Sequence, residues 1–98
     1  MPKYVFVYRA PKGYVPGQPE AMAAWTKFHE SLDGRVIDFG NPVFERTNVG
    51  NCDHGTTQLG GYSFVTADDL ESAVALAKGS PVLSTGGGVE VGEVTELM

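Results

Sequence analysis

The pattern of apolar and polar positions predicts four strands and two helices. Residues 4–8 are aromatic or β-branched throughout, which is typical of a central strand covered on both faces. Residues 19–33 repeat apolar positions at helical spacing, and Gly34 is expected to end that helix. Residues 35–39 form a second predicted strand. Residues 43–49 either continue this strand or fold back against it.

The second half of the chain has the pattern strand, capped helix, loop and strand. Residues 59–65 favour a strand, and residues 68–78 favour a helix that opens with Asp68 and Glu71 as a capping box. Gly79 is the predicted left-handed cap at its end. Residues 84–88 are a glycine-rich loop. In residues 89–94 the side chains largely alternate between apolar and polar, which favours an edge strand or a half-exposed one.

The element order β-α-β-β-α-β, with the first and third strands central, predicts an α+β, ferredoxin-like sandwich. The 98 residues suffice for a single domain, residues 1–98. Two helices on one face of a sheet leave the other face bare. A second copy's sheet is the economical cover, so we expect a homodimeric α/β barrel.

Charge and cysteine content narrow the classes of partner. The net charge is −5 and the seven Lys and Arg are scattered, which argues against nucleic acid as a partner. No segment resembles a membrane span or a basic amphipathic helix, so no membrane partner is expected. One cysteine, Cys52, and an N-terminus unlike a signal peptide favour the cytoplasm.

His29 is the best candidate for catalysis, because it lies at the edge of the apolar stripe of the first helix, near Trp25. A partly buried imidazole there could act as a general acid or base near neutral pH. Asp38, on the following strand, could set its tautomer and raise its basicity. The alternative is a histidine at the helix margin that is hydrogen-bonded to backbone or water.

The chain carries many aromatic residues for its size: Tyr4, Phe6, Tyr8, Trp25, Phe39, Tyr62 and Phe64. Such rings could line a pocket for a planar or apolar ligand, or could simply form the core and the dimer interface. The predicted ligand-binding residues are Tyr4, Phe6, Tyr8, Trp25, Asn41 and Tyr62. Asn41 is included because it flanks the bend after the second strand, although it could serve only the turn before Pro42.

No metal or cofactor is expected. Cys52, Asp53 and His54 are adjacent, whereas a metal site needs three or four convergent ligands. The glycines at 86–88 lack the Lys-Ser/Thr that follows in a P-loop, and they precede a strand rather than a helix.

Several segments together resemble the YCII-related family, and its DGPF-type branch most closely. They are Tyr4-Val5-Phe6-Val7-Tyr8, Met22-Ala23-Ala24-Trp25, Gly40-Asn41-Pro42, Gly60-Gly61-Tyr62, residues 69–77 and Val89-Glu90-Val91. The resemblance implies a ferredoxin-like subunit and a dimeric α/β barrel, with a cleft between sheet and helix or at the dimer interface. Most members have no assigned function, and a few relatives are enzymes acting on small lactones or halogenated ring-cleavage products.

The chain departs from the family pattern at two places. Asp53-His54-Gly55-Thr56 stands where the DGPF motif would precede the Gly-Gly-Tyr strand. The histidine that the enzyme-like branch carries on its first helix aligns with Ala23 or Ala24. His29 comes more than a turn later and does not inherit its role.

Three functions follow as hypotheses. The favoured one is a small-molecule-binding protein with an aromatic pocket, because only one imidazole is plausibly placed for chemistry. The second is a cofactor-independent lyase or isomerase that moves a proton on a cyclic carbonyl compound. There His29 is the acid or base, Asp38 orients it, and Asn41 or a tyrosine holds the oxyanion. The third is a regulatory or structural dimer that binds another protein.

Overall fold

The computed structural model describes residues 1–15, 18–52 and 55–97. Its elements are β1 (Lys3–Pro11), α1 (Pro19–Ser31), β2 (Val36–Asp38), β3 (Thr57–Thr66), α2 (Leu70–Ala77), a 3₁₀ helix (Pro81–Thr85) and β4 (Gly88–Val94). The strands pair antiparallel in the order β2-β3-β1-β4. The first and third strands are therefore central, as predicted, and the α+β ferredoxin-like arrangement is confirmed.

Strand β1 buries only one of its two faces, because successive side chains of a strand point to opposite sides of the sheet. Tyr4, Phe6 and Tyr8 face the helices and are buried. Val5 and Val7 lie on the opposite face and are only half-buried. Within this single chain, the expectation that residues 4–8 are covered on both faces is wrong, because both helices pack on the same side of the sheet.

The core lies between the sheet and the helices. Phe28, in α1, and Leu32, just after the end of α1, pack into this core. Ala73 and Ala77 enter it from α2, and Val82 enters it from the 3₁₀ helix. The small alanines let α2 approach the sheet closely. No helix within the described ranges has the length and apolar character needed to cross a membrane.

The second helix is capped differently from the prediction. Asp69, not Asp68, is the N-cap, and its carboxylate accepts a hydrogen bond from the amide of Ser72 at 2.8 Å. This bond lowers the pKa of Asp69. At the other end Gly79 is not left-handed. The chain continues into the 3₁₀ helix, and Gly86 (φ 88°) is the left-handed residue that ends it. The predicted loop at 84–88 is therefore partly helical.

The segment after β2 does not continue as a strand over residues 43–49, contrary to one expectation. Only the bridge between Pro42 and Gly61 and the hydrogen bond from the Val43 amide to the Gly60 carbonyl (3.0 Å) tie its start to β3. The cause is Gly40, whose φ of 74° turns the chain away from the direction of β2.

Gly40 should tolerate no side chain, because a Cβ there would overlap the carbonyl oxygen of Tyr62. Gly34 has the same φ of 74° but open space around its Cβ position. Gly34→Ala should therefore lose only the left-handed penalty, about 1–2 kcal/mol. Gly40→Ala should lose an additional ~1–3 kcal/mol from overpacking. Urea unfolding of the two variants measures both losses, and equal losses would contradict the close approach at Gly40.

Candidate functional site

A cleft of about 430 Å³ opens between the last turns of α1 and strand β2. Its lining includes the side chains of Thr26, His29, Glu30, Asp33, Val36 and Phe39. Helix α1 supplies the residues at positions 26, 29 and 30, which share one side of an α-helix, and the turn after it supplies Asp33. The short strand and the residue after it supply the opposite wall.

His29 sits between aromatic rings at the mouth of this cleft. Its ring centroid lies 4.7 Å from that of Phe39 and 5.9 Å from that of Trp25. Partial burial lowers the pKa of His29. Over the described residues no hydrogen bond or ion pair involves the imidazole. The ring is therefore mostly neutral at pH 7, and both of its nitrogens are available to a ligand.

Asp38 does not orient His29 in this structure. One carboxylate oxygen of Asp38 accepts a hydrogen bond from the Gly40 amide at 2.8 Å, an Asx-type turn that stabilises the bend after β2. Burial alone, without any charged neighbour, accounts for the shifted pKa of His29. The structure therefore does not join the two predicted catalytic residues as a hydrogen-bonded pair.

Two linked hydroxyl groups, those of Tyr8 and Ser63, hold the backbone at Phe39, whose ring forms one wall of the cleft. The Tyr8 hydroxyl donates to Ser63 Oγ at 3.0 Å, and the Ser63 hydroxyl donates to the carbonyl oxygen of Phe39 at 2.6 Å. The Tyr8 ring also meets the Trp25 ring edge-on, with centroids 4.8 Å apart. Burial raises the pKa of Tyr8, against a smaller opposite effect of the bond to Ser63.

The predicted ligand-binding residues fall in three places. Tyr4 and Phe6 are 1% and 0% exposed, so their rings belong to the core, and Tyr8 lies beside them. Trp25 packs behind His29 at the cleft. The last two predicted residues, Asn41 and Tyr62, lie together: the Asn41 amide donates to the Tyr62 hydroxyl at 3.4 Å. Tyr62 pairs with Val7, on the face turned away from the helices.

The sequence reasoning missed Thr26, Glu30 and Asp33. A signal was present, since positions 26, 30 and 33 follow the helical repeat and flank His29. Polar residues outside the apolar stripe of a helix ordinarily face solvent. These three line a cleft because β2 and the Phe39 ring lie next to that side of α1.

The other chemical candidates among the described residues do not form a second site. Within residues 1–15, 18–52 and 55–97, no three His, Cys, Asp or Glu side chains converge as metal ligands would. Cys52 is exposed, and Asp53 and His54 lie outside the described residues. A groove of about 310 Å³ between α2, the 3₁₀ helix and β4 is lined mostly by aliphatic side chains, with Lys78 as its charged group.

No protein-family model matches the sequence, and no curated protein sequence matches it. Among solved structures, the chain is similar to 5-chloro-2-hydroxyhydroquinone dehydrochlorinase (TftG) from Burkholderia phenoliruptrix AC1100, in complex with 2,5-dihydroxybenzoquinone. The TM-score is 0.67 at 16% sequence identity, over 96% of this chain and 94% of that one. The two proteins share the same fold over nearly their whole length.

Replacing Phe39 should raise the pKa of His29. Phe39→Ala removes the ring that lies 4.7 Å from the imidazole and readmits water, so the charged form is penalised less. NMR titration of the imidazole protons measures the shift. Phe44→Ala is the control, since this exposed ring is not among the three that meet His29, those of Trp25, Phe28 and Phe39. An unchanged pKa in Phe39→Ala would show that other groups bury the imidazole.

The same shift links stability to pH. In the folded protein the pKa of His29 lies below its ordinary value of 6.5, so near that pH the unfolded chain binds more protons. Stability should therefore fall as the pH drops through 6.5 towards the folded pKa. His29→Asn should remove this part of the pH dependence, and Phe39→Ala should reduce it.

Proposed function

We propose that this protein binds a small, planar organic molecule with ring oxygens in the cleft between His29 and Phe39. One observation carries the proposal: the His29 imidazole lies 4.7 Å from the Phe39 ring, which is half-exposed, at the mouth of a cleft of about 430 Å³. Small-molecule sites typically enclose roughly 300–1,000 Å³ and combine apolar walls with a few polar groups.

The lining supports a neutral ligand with hydroxyl donors. A flat ring stacks on the exposed face of Phe39. The His29 nitrogens give or take a hydrogen bond, and the carboxylates of Glu30 and Asp33 accept from hydroxyls while repelling anions. The dehydrochlorinase of the same fold has a planar oxygenated ring bound, 2,5-dihydroxybenzoquinone, which supports this choice of ligand class.

Catalysis is the second candidate, as a cofactor-independent lyase or isomerase with His29 as its acid or base. The position of His29 favours it, because an unprotonated imidazole that lines the cleft and has no hydrogen-bond partner among the described residues can accept a proton from a carbon acid. Asn41 and Tyr62 take no part in this version, since they lie on the other face of the sheet. Asp38 takes none either, because its carboxylate serves the bend at Gly40.

We further propose that the chain belongs to the YCII-related family and pairs as a homodimeric α/β barrel. The sheet face turned away from the helices supports the pairing: Val5 and Val7 lie there beside Phe64 and Tyr62, all half-buried. On the same face the Arg9 guanidinium donates to the Thr57 carbonyl (3.2 Å), and its Nε lies 3.9 Å from Glu90. The valines and aromatic rings make this face largely apolar, and an apolar sheet face is usually covered by another layer.

Hydroquinone is the first ligand to test, because it has a flat ring with two hydroxyl donors. Cyclohexane-1,4-diol carries the same donors on a ring that is not flat and should bind more weakly. Phe39→Ala should weaken hydroquinone binding about tenfold, equivalent to ~1.4 kcal/mol of lost stacking. Phe44→Ala should bind as the wild type does.

Isothermal titration and the NMR shifts of the His29 protons measure this binding. The proposal fails if hydroquinone at millimolar concentration leaves the His29 signals unmoved. It also fails if the two diols bind equally, because stacking on Phe39 then contributes nothing.

The dimer should dissociate when a charge is placed on the bare sheet face. Val5→Glu puts a carboxylate opposite Phe64, where a second sheet would have to desolvate it. Leu70→Glu is the matched control, since Leu70 is exposed on α2, on the helix side. Light scattering should show a dimer for the wild type and Leu70→Glu, and a monomer for Val5→Glu. A monomeric wild type would refute the pairing.

A further inference from the structure

Ser63 is one of two buried polar side chains in the described part of the chain. The other, Ser80, accepts from the nearby Val82 amide and caps the 3₁₀ helix. Ser63 has no such local role. It lies on the helix-facing side of the central strand β3, opposite Phe6, and is 1% exposed. An apolar side chain would suit this position, because a buried hydroxyl is costly unless it is hydrogen-bonded.

The hydroxyl of Ser63 makes two hydrogen bonds, one as acceptor and one as donor. It accepts from the Tyr8 hydroxyl at 3.0 Å and donates to the Phe39 carbonyl oxygen at 2.6 Å. The chain of donors thus runs from the middle of the sheet to the residue whose ring walls the cleft. It links strand β1, strand β3 and the segment after β2.

Phe39 needs such a tether, because the sheet does not hold it. Strand β2 is three residues long and ends at Asp38, and Gly40 then turns the chain away. Among the described residues, Phe39 makes no hydrogen bond to another backbone group. The bond from Ser63 fixes its carbonyl, and the carbonyl fixes the direction in which the ring leaves the backbone.

We propose that Ser63, backed by Tyr8, is the positioning residue of the cleft: it fixes the Phe39 ring against His29. The inference rests on the proposed function only in taking this cleft as the binding site. Tyr8 joins the two walls, since its hydroxyl serves Ser63 while its ring packs on Trp25. Trp25 in turn lies behind His29.

The charged groups around His29 are the same in every variant used to test this role. Glu30 and Asp33 line the cleft from the helix and the turn after it. Asp38 follows on the strand side, with its carboxylate bonded to the Gly40 amide. No Lys or Arg is in the lining. A change in the pKa of His29 on altering Ser63 therefore reports a movement of Phe39.

Ser63→Ala is the first variant, read by NMR without any ligand. The pKa of His29 should rise by at least about half of the rise seen in Phe39→Ala, because the untethered ring no longer shields the imidazole. Nuclear Overhauser contacts between the His29 and Phe39 rings should weaken in parallel. Tyr8→Phe keeps the bond from Ser63 to Phe39 and should shift the pKa less.

Thr66→Ala is the matched control. Thr66 is also on β3, and its hydroxyl donates to the Arg35 carbonyl at 3.4 Å, next to the other end of β2. Its loss should leave the pKa of His29 and the contacts with Phe39 unchanged. General loosening of the β2–β3 pair would instead move the His29 signals in both variants, and that result would overturn the specific role of Ser63.

A folded Ser63→Ala protein with an unchanged His29 pKa and unchanged ring contacts would also overturn it. If Ser63→Ala does not fold, Ser63→Cys keeps the size of the side chain and replaces the hydroxyl by a weak donor. The same upward shift is then expected, and its absence is equally decisive. Hydroquinone titration separates the two proposals. A shifted pKa in Ser63→Ala, with no binding by the wild type, refutes the proposed ligand and keeps the positioning role.

Discussion

The two-residue period of strand β1 is the constraint on which the other features of the molecule depend. β1 hydrogen-bonds to β3 on one side and to β4 on the other, so each of its side chains faces either the helices or the open side of the sheet. Tyr4, Phe6 and Tyr8 fill the helix side and fix where α1 and α2 dock. Val5 and Val7 face the open side of the sheet and are only half-buried.

The cleft exists because the sheet is narrow at the β2 edge. Strand β2 has only three residues, so it leaves the polar side of the last turns of α1 partly uncovered, while Phe28 on the other side is buried in the core. The Phe39 ring and His29 partly fill the gap and leave about 430 Å³ open beside them. Burial there lowers the pKa of His29 but leaves the imidazole partly exposed to the cleft.

The topology could be predicted from the sequence because apolar runs and glycines mark the elements independently of tertiary contacts. Residues 4–8 are aromatic or β-branched throughout and residues 62–65 carry apolar bulk at three of four positions, and both segments belong to the central strands. The cap of α2 could not be fixed in the same way. Asp68 and Asp69 are chemically identical, and only the backbone conformation at Asp69 decides which carboxylate reaches an amide, here that of Ser72.

The cleft was harder to predict, for a related reason. His29 was found from its place at the edge of an apolar stripe, and that depends only on helical spacing. The partner of His29 depends on how the chain leaves β2. Asp38 suits the chemistry of an orienting carboxylate, yet its nearest donor is the Gly40 amide two residues on. Local hydrogen bonds of Asp to its own turn often outcompete longer-range partners, since they cost less conformational entropy.

Gly40 lies between the cleft on the helix side and the open face of the sheet. Phe39, before it, points to the helix side and walls the cleft. Asn41, after it, reaches Tyr62 on the bare face. The turn itself lies against the Tyr62 carbonyl so closely that no side chain fits. A partner sheet in the proposed dimer would press on Tyr62 from one side. The Ser63 hydroxyl holds the neighbouring carbonyl of Phe39 from the other. Close packing at this turn therefore places Phe39 and Tyr62, on opposite faces of the sheet, in one contiguous set of contacts.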